Sequence, residues 1–172
     1  MGSNMPIDSE AIVVPPGQGD RIDLRGLGVQ FKIDATQTGG RFAIVEHPIE
    51  PRRLVPPHVH RNEDEYSFVI EGTVGARIGD EFFLGGPGTY IVKPRNVPHT
   101  FWNPTDQPAR ILEVISPAGF ENYFRELGQM IAAGTFTPER RTALADRYDL
   151  PSAGADWIAD LKAKFGLKLL GE

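Results

Sequence analysis

The sequence predicts an all-β fold, a jelly-roll barrel with a C-terminal helical extension, and two observations carry that expectation. Between Gly28 and Ser116, eight or more short runs of alternating apolar and polar residues are separated by Gly- and Pro-rich turns, the pattern of an all-β sandwich or barrel. After Ser116-Pro117 the apolar period lengthens from two residues to that of a helix. The chain divides accordingly into an N-terminal arm (1–28), a β-barrel (29–117) and a helical segment packed on the barrel (118–172). With 172 residues, 40% hydrophobic and 24% charged, it has enough apolar material for one domain with a real core.

Taken in order, Met1-Gly2-Ser3-Asn4 ahead of Met5 reads as a cloning scar, with Met5 as the native start. The Pro- and Gly-rich stretch from Ile12 to Gly28, with Ile22 and Leu24 alternating, reads as an arm or edge strand. Gly28 to Thr38 and Arg41 to Glu46, joined through Gly39-Gly40, are expected to form a hairpin. Strands follow at Glu65–Glu71, Val74–Ile78, Glu81–Leu84, Thr89–Val92, Thr100–Asn103 and Arg110–Ser116, with Gly79-Asp80 a two-residue turn and Gly85 to Gly88 a longer one. The glycine cluster is no phosphate loop, because no helix follows it.

Phe120, Tyr123, Phe124, Leu127 and Ile131 make one apolar helical stripe, expected to be capped by Ser116, with Pro117 in its first turn, and ended by Gly134. Thr137-Pro138-Glu139 opens a second helix carrying Leu144 and Tyr148 on one face. Asp156 opens a third with Trp157, Leu161 and Phe165, ended by Gly166. The three are expected to cover the outside of the barrel.

Charge and composition narrow the partners. A net charge of −5, from 18 basic against 23 acidic residues, argues against nucleic acid. No apolar run is long enough to span a membrane and no signal-peptide order is present, so the expected location is cytoplasmic. The absence of cysteine leaves histidine and carboxylate as the strong metal ligands available.

Three of the four histidines fall between Pro56 and Asn103. Pro56 and Pro57 disfavour a helix running into His58, and on an extended segment His58 and His60 share a face. The polar run from Arg61 to Asp64 is a natural bend that can bring Glu65 to the same side, with Glu63 or Asp64 as alternatives. Pro94 and Pro98 bracket a turn that delivers His99, with Phe101 and Asn103 on the same inward face. Three imidazoles and one carboxylate make a mixed nitrogen and oxygen site that can leave coordination positions open on one divalent transition ion, Fe, Mn, Ni, Cu or Zn. His47, before Pro48 and without a partner at ligand spacing, reads instead as a satisfied polar residue. Ser67, Val69, Tyr90 and Phe101, with Phe42 and Ile44, are expected to line a mostly apolar substrate pocket.

His58-x-His60, Glu65 and Gly72 resemble the first cupin motif, and Gly88, Pro94, Pro98, His99 and Asn103 resemble the second. The resemblance covers about Val29 to Pro117. It implies a small single-domain cupin similar to quercetin dioxygenases, with His58, His60, Glu65 and His99 in the metal-ligand positions. Arg52 and Asn96 stand where the two motifs usually have glycine, and Asn tolerates a left-handed backbone well. Similar bacterial cupins carry a phenylalanine-rich helix after the last strand, as this chain does.

The function so implied is a metal-dependent dioxygenase or oxidoreductase acting with O2 on a small aromatic or enolic substrate, with Glu65 also able to act as a general base. Two other readings stand beside it. One is a redox-neutral isomerase or lyase in which the ion is a Lewis acid, and the other is a non-catalytic metal- or metabolite-binding cupin. A homodimer is the expected assembly.

Overall fold

The computed structural model describes residues 11–154 and 156–172; the tag remnant and Met5 lie outside them. The alternating runs become strands wherever one parity can be buried. Along β3 (Ala43–Ile49) and β10 (Ala109–Ser116) every second residue is buried, and the two pair antiparallel from Ala109↔Ile49 to Ile115↔Ala43. With β1 (Arg21–Asp23), β2 (Gly28–Ile33), β5 (Asp64–Glu71) and β8 (Tyr90–Lys93) they form a six-stranded sheet ordered β1-β2-β3-β10-β5-β8. The second sheet holds five strands. Its order is β11-β4-β9-β6-β7, from β4 (Arg53–Leu54), β6 (Val74–Ile78), β7 (Glu81–Gly85), β9 (His99–Trp102) and β11 (Lys168–Leu169). The inward residues of both sheets, among them Val45, Val69, Ala76, Phe101, Ile111 and Ile115, belong to one buried core.

The fold departs from the sequence reading in five places. The expected hairpin through Gly39-Gly40 contains a short helix, α1 (Ala35–Thr38). Asp34 and Gln37 form a capping box there, since the Asp34 carboxylate accepts from the Thr36 N–H and the Gln37 side chain accepts from the Asp34 N–H. β2 and β3 still pair antiparallel, with a bulge between Phe31 and Ile33.

The parity of β3 is also the reverse of the expected one. Ala43, Val45, His47 and Ile49 are buried, whereas Phe42 and Ile44 are only half-buried. Both parities are apolar at this end of the strand, so the pairing with β10, not the alternation, decides which faces in. Tyr90 likewise points outward. It is 79% exposed beside Phe68, and the inward residues of β8 are Ile91 and Lys93.

Ser116 does not cap the next helix, because β10 runs through it and its hydroxyl donates to the Arg41 carbonyl. α2 (Glu121–Ala132) starts after Gly119 turns the chain at φ 129. Glu121 secures this start, accepting from the N–H groups of Gly119 and Ala35. α3 (Pro138–Arg147) is capped by the Thr137 hydroxyl, and α4 (Ile158–Phe165) begins past Asp156 and ends at Gly166 in a left-handed conformation.

Finally, only α4 lies where all three helices were expected, on the outer face of the five-stranded sheet around Trp102 and Leu54. α2 instead sends Phe120, Tyr123, Phe124 and Leu127 into the main core, over the open end of the barrel. Its apolar stripe therefore roofs a cavity. Among the described residues, no helix is long and apolar enough to cross a membrane.

Candidate metal centre

His58 and His60 sit on an extended segment that makes only isolated bridges and is not a regular strand. The His58 N–H donates to the His99 carbonyl at 3.1 Å and the His99 N–H returns to His58 at 3.0 Å, while Val59 donates to Pro151. Glu65 is the second residue of β5 and His99 the first of β9, so the two sheets each contribute to one cluster. The turn between β8 and β9 closes the approach. Asn96 takes φ 63, and its N–H donates to the His60 carbonyl at 2.7 Å. Arg52 also adopts a left-handed φ, 58°, and its guanidinium is held by both Asp106 oxygens and the Phe165 carbonyl.

The structure brings His58, His60, Glu65 and His99 together, with one potential ligand atom from each lying within 4.8 Å of all the others. His60, Glu65 and His99 are each at most 3% exposed. The tautomers are fixed from behind. His58 Nδ1–H donates to the Pro56 carbonyl at 2.8 Å, His99 Nδ1–H to the Val97 carbonyl at 3.1 Å, and His60 Nδ1–H to the Glu63 carboxylate at 3.3 Å. Each Nε2 is left facing the cluster, the arrangement that orients imidazoles toward a shared ion.

His60 Nε2 and His99 Nε2 lie 3.2 and 3.4 Å from Glu65 oxygens, yet neither is aligned in a hydrogen bond. Buried nitrogens without a partner cost about 1–3 kcal/mol each. A cation among them removes that cost, so the donor set fits a divalent transition ion. Glu63 is committed to His60 and Asp64 to Arg95, which leaves Glu65 as the carboxylate of the set.

The local field draws in positive charge. Burial opposes a charged His60, but Glu65 and Glu63 outweigh it and push its pKa up to about 9. Burial similarly opposes an ionised Glu65, and His60 and Lys93 overcome this to hold it well below the usual carboxylate range. Burial, reinforced by the other imidazoles, holds His58 well below its ordinary value, and burial also lowers His99.

Behind Glu65 stands a polar layer that the motifs do not announce. Lys93, 1% exposed, pairs with Glu65 at 2.8 Å and also with Glu113. Glu113 accepts from the Ser67 hydroxyl at 3.1 Å and faces His47 Nε2 at 3.7 Å. Burial raises Glu113 to about 7, and burial lowers His47 to about 4 while its Nδ1–H donates to the Gly28 carbonyl. A signal for Glu113 and Lys93 does exist in the sequence. Each is a charged residue on the inward parity of its strand, after Ile111 and Ile91 respectively.

A cavity of about 440 Å³ opens onto His58, His60 and Glu65. Phe101 lines it, as do His47, Glu113, Phe120 and Phe124; the Phe120 ring meets His60 edge-on at 4.2 Å. Ser67 sits behind Glu113 and Val69 in the core, and Tyr90 is outside, so of the four expected pocket residues Phe101 alone reaches the cavity wall.

Residues 46–115 match the cupin domain family. In sequence the chain is 24% identical over 146 residues to quercetin 2,3-dioxygenase of Bacillus subtilis (strain 168), covering 84% of this chain and 43% of that protein, so it spans less than half of that relative's length. In structure it is similar to KdgF from Halomonas sp., with a TM-score of 0.59 and 16% identity over 66% of this chain and 99% of that one. It is similar also to the polyketide cyclase RemF from Streptomyces resistomycificus, with a TM-score of 0.55 and 26% identity over 62% and 80%. Residues 46–115 thus carry a cupin domain, and the chain around them resembles quercetin dioxygenase-like proteins.

Proposed function

We propose that this chain is a mononuclear metal-dependent oxidoreductase, of dioxygenase type, acting on a small aromatic or enolic substrate. The observation that carries the reading is the cluster of His58, His60, Glu65 and His99, three of which (His58, His60 and Glu65) line the floor of an aromatic-walled cavity. A redox-active divalent ion held there would supply open coordination positions and relay electrons from the enol, which is oxidised, to O2, which is reduced. The protein does the rest. Phe101, Phe120 and Phe124 give a flat substrate apolar walls and keep water from the floor. Glu65, kept ionised by Lys93 and His60, is the carboxylate at that floor and our candidate to accept the proton of a substrate hydroxyl.

Glu113 favours a second, redox-neutral reading as an isomerase, lyase or cyclase. It faces the same cavity with a pKa near 7, suited to proton transfer at neutral pH, and lies outside the ligand cluster. The likeness to a polyketide cyclase agrees with it.

The test is anaerobic reconstitution with Fe(II), Mn(II), Ni(II), Cu(II) or Zn(II), followed by O2 uptake and product analysis on flavonols and other enolic aromatics. Substrate-dependent O2 consumption supports the first reading. Product without O2 consumption supports the second, and tight metal binding with neither points to a binding cupin. A cytoplasmic homodimer belongs to the same proposal. Tyr66, Tyr90 and Val92, exposed side by side on β5 and β8, support the dimer, and sedimentation of the full chain tests it.

A further inference from the structure

The cavity has a charged rim that the proposed chemistry does not use. Arg25, in the turn before β2, and Arg141, in the second turn of α3, both line it. Neither guanidinium has an ion-pair partner among the described residues. The acids that line the cavity are already engaged: Glu65 and Glu113 share Lys93, and Glu172 pairs with Lys162 at 2.8 Å. Arg25 lies over the Phe136 ring, 5.0 Å from its centre, which orients the guanidinium without neutralising it. The Arg141 charge acts on the Tyr123 hydroxyl, opposing the rise in its pKa that burial causes.

Tyr123 links that rim to the floor. Its ring stacks on Phe120 at 5.1 Å, and Phe120 meets His60 at 4.2 Å. A planar ligand lying along this aromatic wall would have one end at the histidine cluster and the other at Arg141. Two cations without ion-pair partners at the entrance of an apolar slot, in a chain of net charge −5, make that entrance locally attractive to an anion. A guanidinium presents paired N–H donors that match the two oxygens of a carboxylate.

We infer that the rim formed by Arg141 and Arg25 is an anion subsite, and that the substrate is an aromatic or enolic carboxylate whose acid group docks there while its reactive end faces the histidine cluster. This rests on the proposed function for the identity of the reactive end. The anion subsite itself does not, because Arg141 and Arg25 would select a carboxylate with or without turnover.

The experiment measures binding, by calorimetry, of 2-naphthoate, 2-naphthamide and 2-naphthyl phosphate to the full chain as purified, and to its Arg141→Gln, Arg25→Gln and His99→Ala variants. The wild type should bind naphthoate about tenfold or more tightly than the amide, the size expected for one charge-assisted contact. Arg141→Gln should remove most of that preference and Arg25→Gln part of it, with affinity for the amide unchanged. Added salt should weaken naphthoate alone. The preference should survive in His99→Ala, which separates a carboxylate held at the rim from one held at the histidine cluster.

Equal affinity for acid and amide overturns the inference. So does a preference that persists in both arginine variants, a preference lost in His99→Ala, stronger binding of the phosphate than of the carboxylate, or no binding of any probe. Failure to find O2 uptake would sink the dioxygenase reading and leave these ratios standing.

Discussion

At Lys93 one buried ammonium lies between two buried carboxylates, Glu65 and Glu113. Removing a single partner from such a group strands charge in a low-dielectric interior, so Lys93→Met should lose about 3–5 kcal/mol in urea denaturation. Adding Glu113→Gln to that variant should recover part of the loss. His47 gives a pH dependence. Burial lowers it from 6.5 to about 4, so the unfolded chain binds a proton that the folded chain refuses. Stability therefore falls as pH drops from about 6.5 to 4, by about 3 kcal/mol from this residue alone. In denaturation curves recorded across that range, His47→Gln should show a shallower slope than wild type by about that amount. Asn96 is milder. Its φ of 63 suits glycine, and its side chain makes one long exposed bond, from Arg61 at 3.3 Å, so Asn96→Gly should leave the melting temperature unchanged or raised.

Among the elements, α2 shows best what the sequence could and could not disclose. Its apolar stripe and its end at Gly134 are legible from the spacing of Phe120, Tyr123, Phe124, Leu127 and Ile131. Where that stripe packs is not legible, since periodicity says which residues share a face and nothing about what the face meets. The strands divide in the same way. In β5 hydrophobicity points the wrong way, since Glu65, Ser67 and Val69 face in while Tyr66, Phe68 and Ile70 do not, and the inward parity was legible only from Glu65; Phe42-Ala43-Ile44-Val45 is apolar on both parities and yielded only to the register with β10. Of the four clustered side chains, His58 and His60 share a face by their spacing on one extended segment, whereas Glu65 and His99 come from strands of different sheets and were joined to them by the resemblance of the two motifs. Lys93, Glu113 and His47 join through three different strands, so no local pattern reveals the layer they make. Phe120, 2% exposed and against His60, ties the roof to the centre. Phe120→Ala should cost about 3 kcal/mol in chemical denaturation, less than a fully enclosed site would lose because part of the ring borders the cavity.

For the molecule as a whole, the centre is a cross-link between layers. Glu65 belongs to the six-stranded sheet, His99 to the five-stranded sheet, and His58 to a segment bridged both to His99 and to Ser152. An ion bound by all four would hold the folded chain together and would find no such arrangement in the unfolded one. A divalent ion at a hundred times its dissociation constant should therefore stabilise the fold by about 2.7 kcal/mol, read as a rise in the melting temperature that a chelator reverses. The most direct test of the central claim is metal content. Wild type and His99→Ala are reconstituted anaerobically, freed of loose ion and assayed by elemental analysis. The four-residue centre predicts about one ion per wild-type chain and the loss of most of it in the variant, with the fold retained. A His99→Ala chain that still holds a full equivalent at the same affinity would contradict it.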